Sequence, residues 1–262
     1  MPLIPVNGTR LYYELLGKGS PLVLIAGLAC DHGMWAEVLD VLTQHYSVLI
    51  FDNRASGQSE FSGKPFSIQD MAEDLSCLME KLSISSAYLL GHSMGGAIAM
   101  SLALSHPEKV KKMAVLCSSA CFSERVKKMF QTQVRLLELA TPIDVCMDSV
   151  FPWLFSNEYL SQSENVEKEK QRFLRNPHPQ SKEAYAMQVQ ALLNYDLGFR
   201  VSKIQTPTLL LAAEEDLIAP PESMKKLHSE IPNSEFKLIT QAGHCVIYEK
   251  PEIFVKEIMR MK

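Results

Sequence analysis

Gly91-His92-Ser93-Met94-Gly95-Gly96 follows the apolar run Ala87-Tyr88-Leu89-Leu90 and opens a stretch of small residues that reaches His106. A short strand, a serine with a glycine two residues to either side, and a helix of small residues together make the pattern of a nucleophile elbow. The glycines are needed because a turn this tight leaves no room for side chains beside the serine. Such a turn pushes the Ser93 hydroxyl into the open, and the helix behind it directs unpaired N–H groups at the reaction centre. The motif alone is weak and takes its weight from this context and from partners downstream.

Working outward, strand-length apolar runs alternate with helix-length segments: Leu22 to Ala26, Ser47 to Phe51, Ala87 to Leu90, Met113 to Cys117, Thr208 to Ala212 and Glu235 to Ile239. Continuous apolarity marks strands buried on both faces. Before them, residues 3–16 carry two β-prone runs around Asn7-Gly8, a strong hairpin signal. With helices between the later strands, the handed crossover rule predicts an eight-stranded, mostly parallel sheet with helices on both faces, an α/β fold.

One interval is out of proportion. Between Cys117 and Pro207 lie about ninety residues with amphipathic helical patterns such as Val126, Met129, Phe130, Val134 and Leu137, and no convincing strand. An unstructured loop of that length is implausible in a compact domain, so an inserted helical cap is expected. The expected division is residues 1–118 and 201–262 for the core and 119–200 for the cap. The cap leaves from the C-terminal end of a strand, the edge where α/β sheets bind ligands. Ser156 to Gln180 is charged and polar, and reads as a solvated outer part.

With 262 residues, 47% of them apolar, and a formal charge of -4, the chain has one large domain's material and no basic surface for nucleic acid or anionic membranes. The longest apolar run, Pro21 to Cys30, is too short to cross a bilayer. Six cysteines without C-x-x-C spacing, and a start lacking a signal-type core, predict reduced thiols in a cytoplasmic protein.

A serine at neutral pH is a poor nucleophile; it needs a base, and the base needs a group to hold its tautomer. His244, in Gln241-Ala242-Gly243-His244-Cys245, follows the last predicted strand and precedes the terminal helix, and is the candidate base. Among the other histidines, His92 points away from Ser93 by adjacency, His106 precedes a proline, and His45, His178 and His228 sit in polar segments. His32 fits either a pocket wall or a surface loop. For the acid, Glu214-Glu215-Asp216 crowd one strand end. Asp216 is chosen because its short side chain can turn back from the loop proper, whereas Glu214 and Glu215 read as a solvated pair or a helix cap. The backbone N–H groups of Met94 and Leu28 are the candidate oxyanion donors.

These segments resemble the α/β-hydrolase superfamily over essentially the whole chain: Leu24-Ile-Ala-Gly-Leu28, Phe51-Asp52-Asn53-Arg54-Ala55-Ser56-Gly57-Gln58-Ser59, the elbow, Asp216 with Pro220, and Gly243-His244. Within it the chain is most similar to capped carboxylesterases, enol-lactonases and C–C hydrolases. It departs from family habit at Ala26, where His is usual, and at Ala55, where Gly is usual. Asp at the nucleophile position would mark dehalogenase- or epoxide hydrolase-like members, and this chain has Ser93. The resemblance implies hydrolysis of a small-molecule carboxylic ester, thioester or lactone by water through Ser93, His244 and Asp216, with no metal or organic cofactor. Trp35, Phe122, Met129, Phe130 and Trp153 are candidates for an apolar acyl pocket. A C–C hydrolase or cofactor-free perhydrolase on the same triad, or a small-molecule receptor of this fold, remain open alternatives.

Overall fold

A computed structural model describes residues 3–261. The first hairpin pairs β1 (Leu3–Val6) with β2 (Thr9–Gly17) across Asn7 and Gly8, both at positive φ, as the Asn-Gly signal predicts. Six further strands follow: β3 (Ser20–Ile25), β4 (Tyr46–Phe51), β5 (Ala87–His92), β6 (Val110–Leu116), β7 (Thr208–Ala213) and β8 (Ser234–Ile239). They form one eight-stranded sheet in the order β1-β2-β4-β3-β5-β6-β7-β8. The β1/β2 and β2/β4 pairs are antiparallel and all other pairs parallel.

Both faces of the sheet are covered, which is why the strands read as unbroken apolar runs. Val23, Ile25, Leu49, Phe51, Leu89 and Val115 face α2 (Ile68–Lys81) and α3 (Met94–Ser105). Their neighbours Leu22, Leu24, Val48, Ile50, Leu90 and Leu116 face the opposite way, packing with α1 (Ala36–Thr43) and a helix near the C-terminus. The α2 helix begins at a capping box in which Ser67 and Asp70 satisfy each other's backbone N–H groups.

Between β6 and β7 the chain forms α4 (Glu124–Glu138), α5 (Ile143–Leu154), α6 (Asn157–Leu160), α7 (Ser163–Leu174) and α8 (Lys182–Leu193). Ser123, Ser156 and Ser181 cap α4, α6 and α8 through their hydroxyls. An isolated bridge between Cys121 and Asp196 joins the two ends of this helical segment. The core resumes with α9 (Pro221–Glu230), α10 (Val246–Glu249) and α11 (Pro251–Ile258), of which α11 packs on the α1 face.

The segment from Ser156 to Gln180 is largely exposed, as its composition suggests, but it is also tied down. Its charges find partners on the core: Lys168 pairs with Glu37 at 3.2 Å, Arg172 also bonds Glu37, and Asn176 Nδ2 donates to Asp31 Oδ2 at 2.7 Å. Glu169 is buried, accepting from Arg172 and from the Tyr159 hydroxyl, 2.9 Å each. Among the described residues no helix is long and apolar enough to cross a membrane.

Candidate active site

Ser93 sits between β5 and α3 with φ 55° and ψ -117°, a strained conformation for a residue with a side chain. The strain is held from both sides. The Ser93 N–H donates to Leu116 O at 2.9 Å, and the Ser118 hydroxyl donates to Ser93 O at 2.7 Å. A Cβ on Gly91 would lie 2.2 Å from Gly95 O, and one on Gly95 would lie 2.0 Å from Ile25 O, so the elbow closes only with glycine at both places.

Asp216 and His244 come from the loops after β7 and β8, twenty-eight residues apart in sequence, and meet with Nδ1 and Oδ2 at 2.9 Å. Both side chains are buried. The other Asp216 oxygen accepts the N–H groups of Ile218 at 2.8 Å and Ala219 at 2.9 Å. Burial acts to raise the Asp216 pKa, but the charge and hydrogen bond of His244 and these two amides outweigh it and hold the carboxyl below its usual range. An ionised acid on Nδ1 keeps that proton in place and leaves the opposite ring nitrogen to act as acceptor. Neither that nitrogen nor Ser93 Oγ hydrogen-bonds a described residue, a common state of catalytic pairs before substrate binds.

His92 does more than fill space. Its Nε2 donates to the backbone carbonyl of His244 at 2.9 Å, the two rings lying 4.8 Å apart. Burial, then the neighbouring His244, pushes the His92 pKa down to about 3, so it is a neutral donor. The backbone N–H groups of Leu28 and Met94 have no acceptor among the described residues. Met94 opens α3, where the first amides of a helix are unpaired, and Leu28 follows β3 in a tight turn.

Phe122, Met129 and Phe130 are buried with Met94 on the α3 side, and Leu28 and Trp153 pack against the same cluster. The Phe122 and Phe130 rings meet edge-on at 6.2 Å. Trp35 belongs elsewhere. It is 0% exposed in the opposite core with Val38 and Leu42, because the 3-10 turn His32–Trp35 feeds α1 and the spacing 35, 38, 42 places all three on one helical stripe beneath the sheet. It is a core residue and no wall of the site.

His32 is likewise committed, its ring and its N–H both bonding Asp52 Oδ1, at 2.8 and 2.7 Å, while Asp52 Oδ2 accepts from Gln58 N–H at 2.8 Å. Among the described residues two groups have metal-ligand chemistry, Asp31-His32-Asp52 and Cys117-Asp216-His244. Asp52 in the first and Asp216 in the second are already filled by hydrogen bonds to protein donors, and burial keeps the Cys117 thiol well above its ordinary pKa, hence protonated. Burial and then Asp31 also push the Cys30 thiol up to about 12.

Three supports escaped sequence reasoning. Glu214 and Glu215 stay at the surface: Glu214 accepts from Gln241 N–H at 2.9 Å, and Glu215 accepts at 2.8 Å from the N–H of Asn157, the first residue of α6, the helix cap that was one reading of this pair, and together they tie their strand end to the His244 loop and to α6. Glu249 accepts from Gly243 N–H at 3.0 Å and Ser156 N–H at 3.2 Å. Gln188 bonds two loops at once. The pattern E-E-D marked the first place; nothing marked Gln188 or Glu249, whose partners lie far away in sequence.

A family model of the alpha/beta hydrolase fold matches residues 20–251. The "Putative carbamate hydrolase RutD" of Serratia proteamaculans (strain 568) is 30% identical over 250 residues, covering 93% of this chain and 92% of that protein. The solved enol-lactonase from Burkholderia xenovorans LB400 has a TM-score of 0.89 at 27% identity, covering 99% of this chain and 98% of that one. A thermophilic esterase from Thermogutta terrifontis, solved with malate bound, has a TM-score of 0.87 at 25% identity, covering 100% and 98%. With the matched region spanning most of the sequence, the chain belongs to the alpha/beta hydrolase fold family.

Proposed function

We propose that this protein is a serine hydrolase that cleaves a carboxylic ester, thioester or lactone with a small to medium, largely apolar acyl group. The observation that carries the reading is the buried 2.9 Å pair of His244 with Asp216, beside a serine held at φ 55°. Ser93 Oγ attacks the carbonyl carbon as His244 takes its proton. The Leu28 and Met94 N–H groups receive the oxyanion, and protonated His244 gives its proton to the leaving alcohol or thiol. Water, deprotonated by His244, then attacks the acyl-Ser93 ester, and the second collapse frees the acid and restores the Ser93 hydroxyl. Asp216 stays ionised throughout and stabilises the imidazolium. Leu28 and Trp153, only partly buried against the apolar cluster that holds Met94, Phe122, Met129 and Phe130, support an apolar acyl group.

The name borne by the Serratia relative favours a second reading, attack on a carbamate carbonyl by the same groups. The ester reading stands first because the solved structures the chain resembles include an esterase and an enol-lactonase. The test is hydrolysis of p-nitrophenyl esters from acetate to decanoate, with p-nitrophenyl carbamates alongside, by the native chain and Ser93→Ala. Turnover of esters by the native chain and none by the variant is expected. Turnover confined to carbamates would reverse the order of the two readings, and ester turnover that survives in Ser93→Ala would overturn both.

A further inference from the structure

The Met94 N–H belongs to the peptide that joins Ser93 to Met94. A trans peptide holds its carbonyl and its N–H in one plane, pointing opposite ways, so whatever holds the Ser93 carbonyl also aims the Met94 N–H. The torsion that sets the direction of that plane is ψ of Ser93. It stands at -117° with φ at 55°, whereas the ordinary left-handed conformation has ψ near about 47°, so relaxation there would turn the peptide through about 160°. The strain of the elbow is thus stored in the torsion that points one of the two candidate oxyanion donors.

Three donors converge on Ser93 O. Two belong to α3, the N–H groups of Gly96 at 2.9 Å and Ala97 at 3.2 Å. These pull the carbonyl along the helix axis, as at the start of any helix. The third reaches in from outside the helix. Ser118 lies two residues past the end of β6, and its hydroxyl donates to Ser93 O at 2.7 Å. Its side chain is 0% exposed and makes no other hydrogen bond to a described residue. The same strand end takes the Ser93 N–H, on Leu116 O at 2.9 Å. The peptides before and after Ser93 are therefore both fastened to the end of β6, and φ and ψ of the nucleophile are fixed together.

The sequence makes room for this contact. A Cβ on Gly96 would lie 2.6 Å from Ser118 Cβ and 2.8 Å from Ser118 Oγ. Gly91 and Gly95 let the elbow itself close, whereas the last glycine of Gly91-His92-Ser93-Met94-Gly95-Gly96 clears the space from which Ser118 reaches the carbonyl.

We propose that Ser118 is a positioning residue for catalysis: its hydroxyl clamps the Ser93–Met94 peptide and so holds the Met94 N–H on the oxyanion. The inference rests on the Ser93 mechanism above. Deleting an oxyanion donor outright costs on the order of 10²–10³ in kcat. Loss of the clamp leaves the donor in place, with Gly96 and Ala97 still on the carbonyl, and should cost less.

The experiment compares the native chain, Ser118→Ala, Ser118→Cys and Gly96→Ala. It reads kcat and KM on the best p-nitrophenyl ester, the inhibition constant of an alkylboronic acid, and the urea midpoint of each variant. The Ser93 oxygen adds to boron as His244 takes its proton, and a boron-bound oxygen then occupies the oxyanion position. In Ser118→Ala kcat should fall roughly tenfold, boronic acid binding should weaken by a similar factor, and KM should stay within about twofold. Ser118→Cys keeps the volume but has only a weak donor, and should fall nearly as far. Gly96→Ala displaces Ser118 without removing its hydroxyl and should show the same split between kcat and KM. Native kcat in Ser118→Ala, or in Ser118→Cys, would overturn the proposal, the second by leaving Ser118 a space-filling role. A fall in kcat without weaker boronic acid binding would overturn it too. Should Ser118→Ala fail to fold, Ser118→Cys and Gly96→Ala decide on the same readouts. If the native chain turns over no ester, the Ser93 reading fails and takes the clamp with it, whereas native ester turnover that Ser118→Ala leaves intact refutes the clamp alone.

Discussion

The loop that carries His244 and the turn that carries Leu28 both belong to the candidate site, yet they are held in opposite ways. The His244 loop is gripped from every side: Glu249 on Gly243, Glu214 on Gln241, His92 on the His244 carbonyl, and Cys245 N–H on Leu154 O at 2.9 Å. A Cβ on Gly243 would stand 2.6 Å from the Phe155 backbone, so α5 runs directly against the loop. The Leu28 turn has one carbonyl braced by Asn53 and one amide braced by Gln188. Redundant backbone contacts make the His244 loop hard to dislodge. The Leu28 turn, with Ala29 at positive φ and few side-chain braces, is the more adjustable of the two.

The largest effect should come from the pair at the centre of the well-held loop. Asp216→Asn keeps the shape but loses the acceptor that holds the His244 tautomer, and kcat should drop on the order of 10⁴-fold with the fold intact by circular dichroism. Gly243→Ala attacks the grip itself. Overpacking against Phe155 should cost about 1–3 kcal/mol in a urea titration, and activity should fall with it. If Gly243→Ala proved harmless, the loop would be less rigidly seated than its contacts imply.

Acid probes the same loop. His92 has its pKa depressed to about 3 against an ordinary 6.5, so the folded chain stays neutral there while the unfolded chain binds a proton below pH 6.5. This contribution is complete above pH 6.5 and is lost as pH falls towards 3, at about 1.4 kcal/mol per unit. Between pH 7 and pH 5, His92→Gln should therefore lose about 2 kcal/mol less stability than the native chain in urea titrations. An equal loss in both would remove His92 from the acid response. The smallest effect belongs to the strained turns. Ala55→Gly relieves about 1–2 kcal/mol of left-handed strain against about 0.4–1 kcal/mol of added unfolded-state entropy. A net gain between about 0 and about 1.6 kcal/mol is expected in the same titration, and a clear loss would mean that the turn is not strained by its alanine.

The sheet was legible because buried strands need unbroken apolarity and hairpins need special φ: Leu22 to Ala26 and Asn7-Gly8 marked their elements directly. The elbow was legible because only glycine fits at residues 91 and 95. Asp216 and His244 could be chosen from their places after apolar runs, and the structure brings them together. Trp35 reads as an acyl-pocket candidate from its apolar character alone, but its spacing to Val38 and Leu42 places it on a helical stripe that the fold buries in the opposite core.

Local sequence thus determined what depends on local constraint: strand apolarity, capping serines, the glycines of the elbow, and the candidate groups at strand ends. Only the tertiary structure decided which side chains brace those groups. Gln188 meets Ala29 across 159 positions, Glu249 reaches Ser156 across 93, and His92 reaches His244 across 152. A hydrogen bond between distant residues leaves no periodicity or spacing in the chain, since it depends on two backbones arriving together and not on the residues beside either partner. The same holds for Ala29 and Ala55: alanine says nothing of φ by itself, and its left-handed turns exist because the folded core and α8 hold them there.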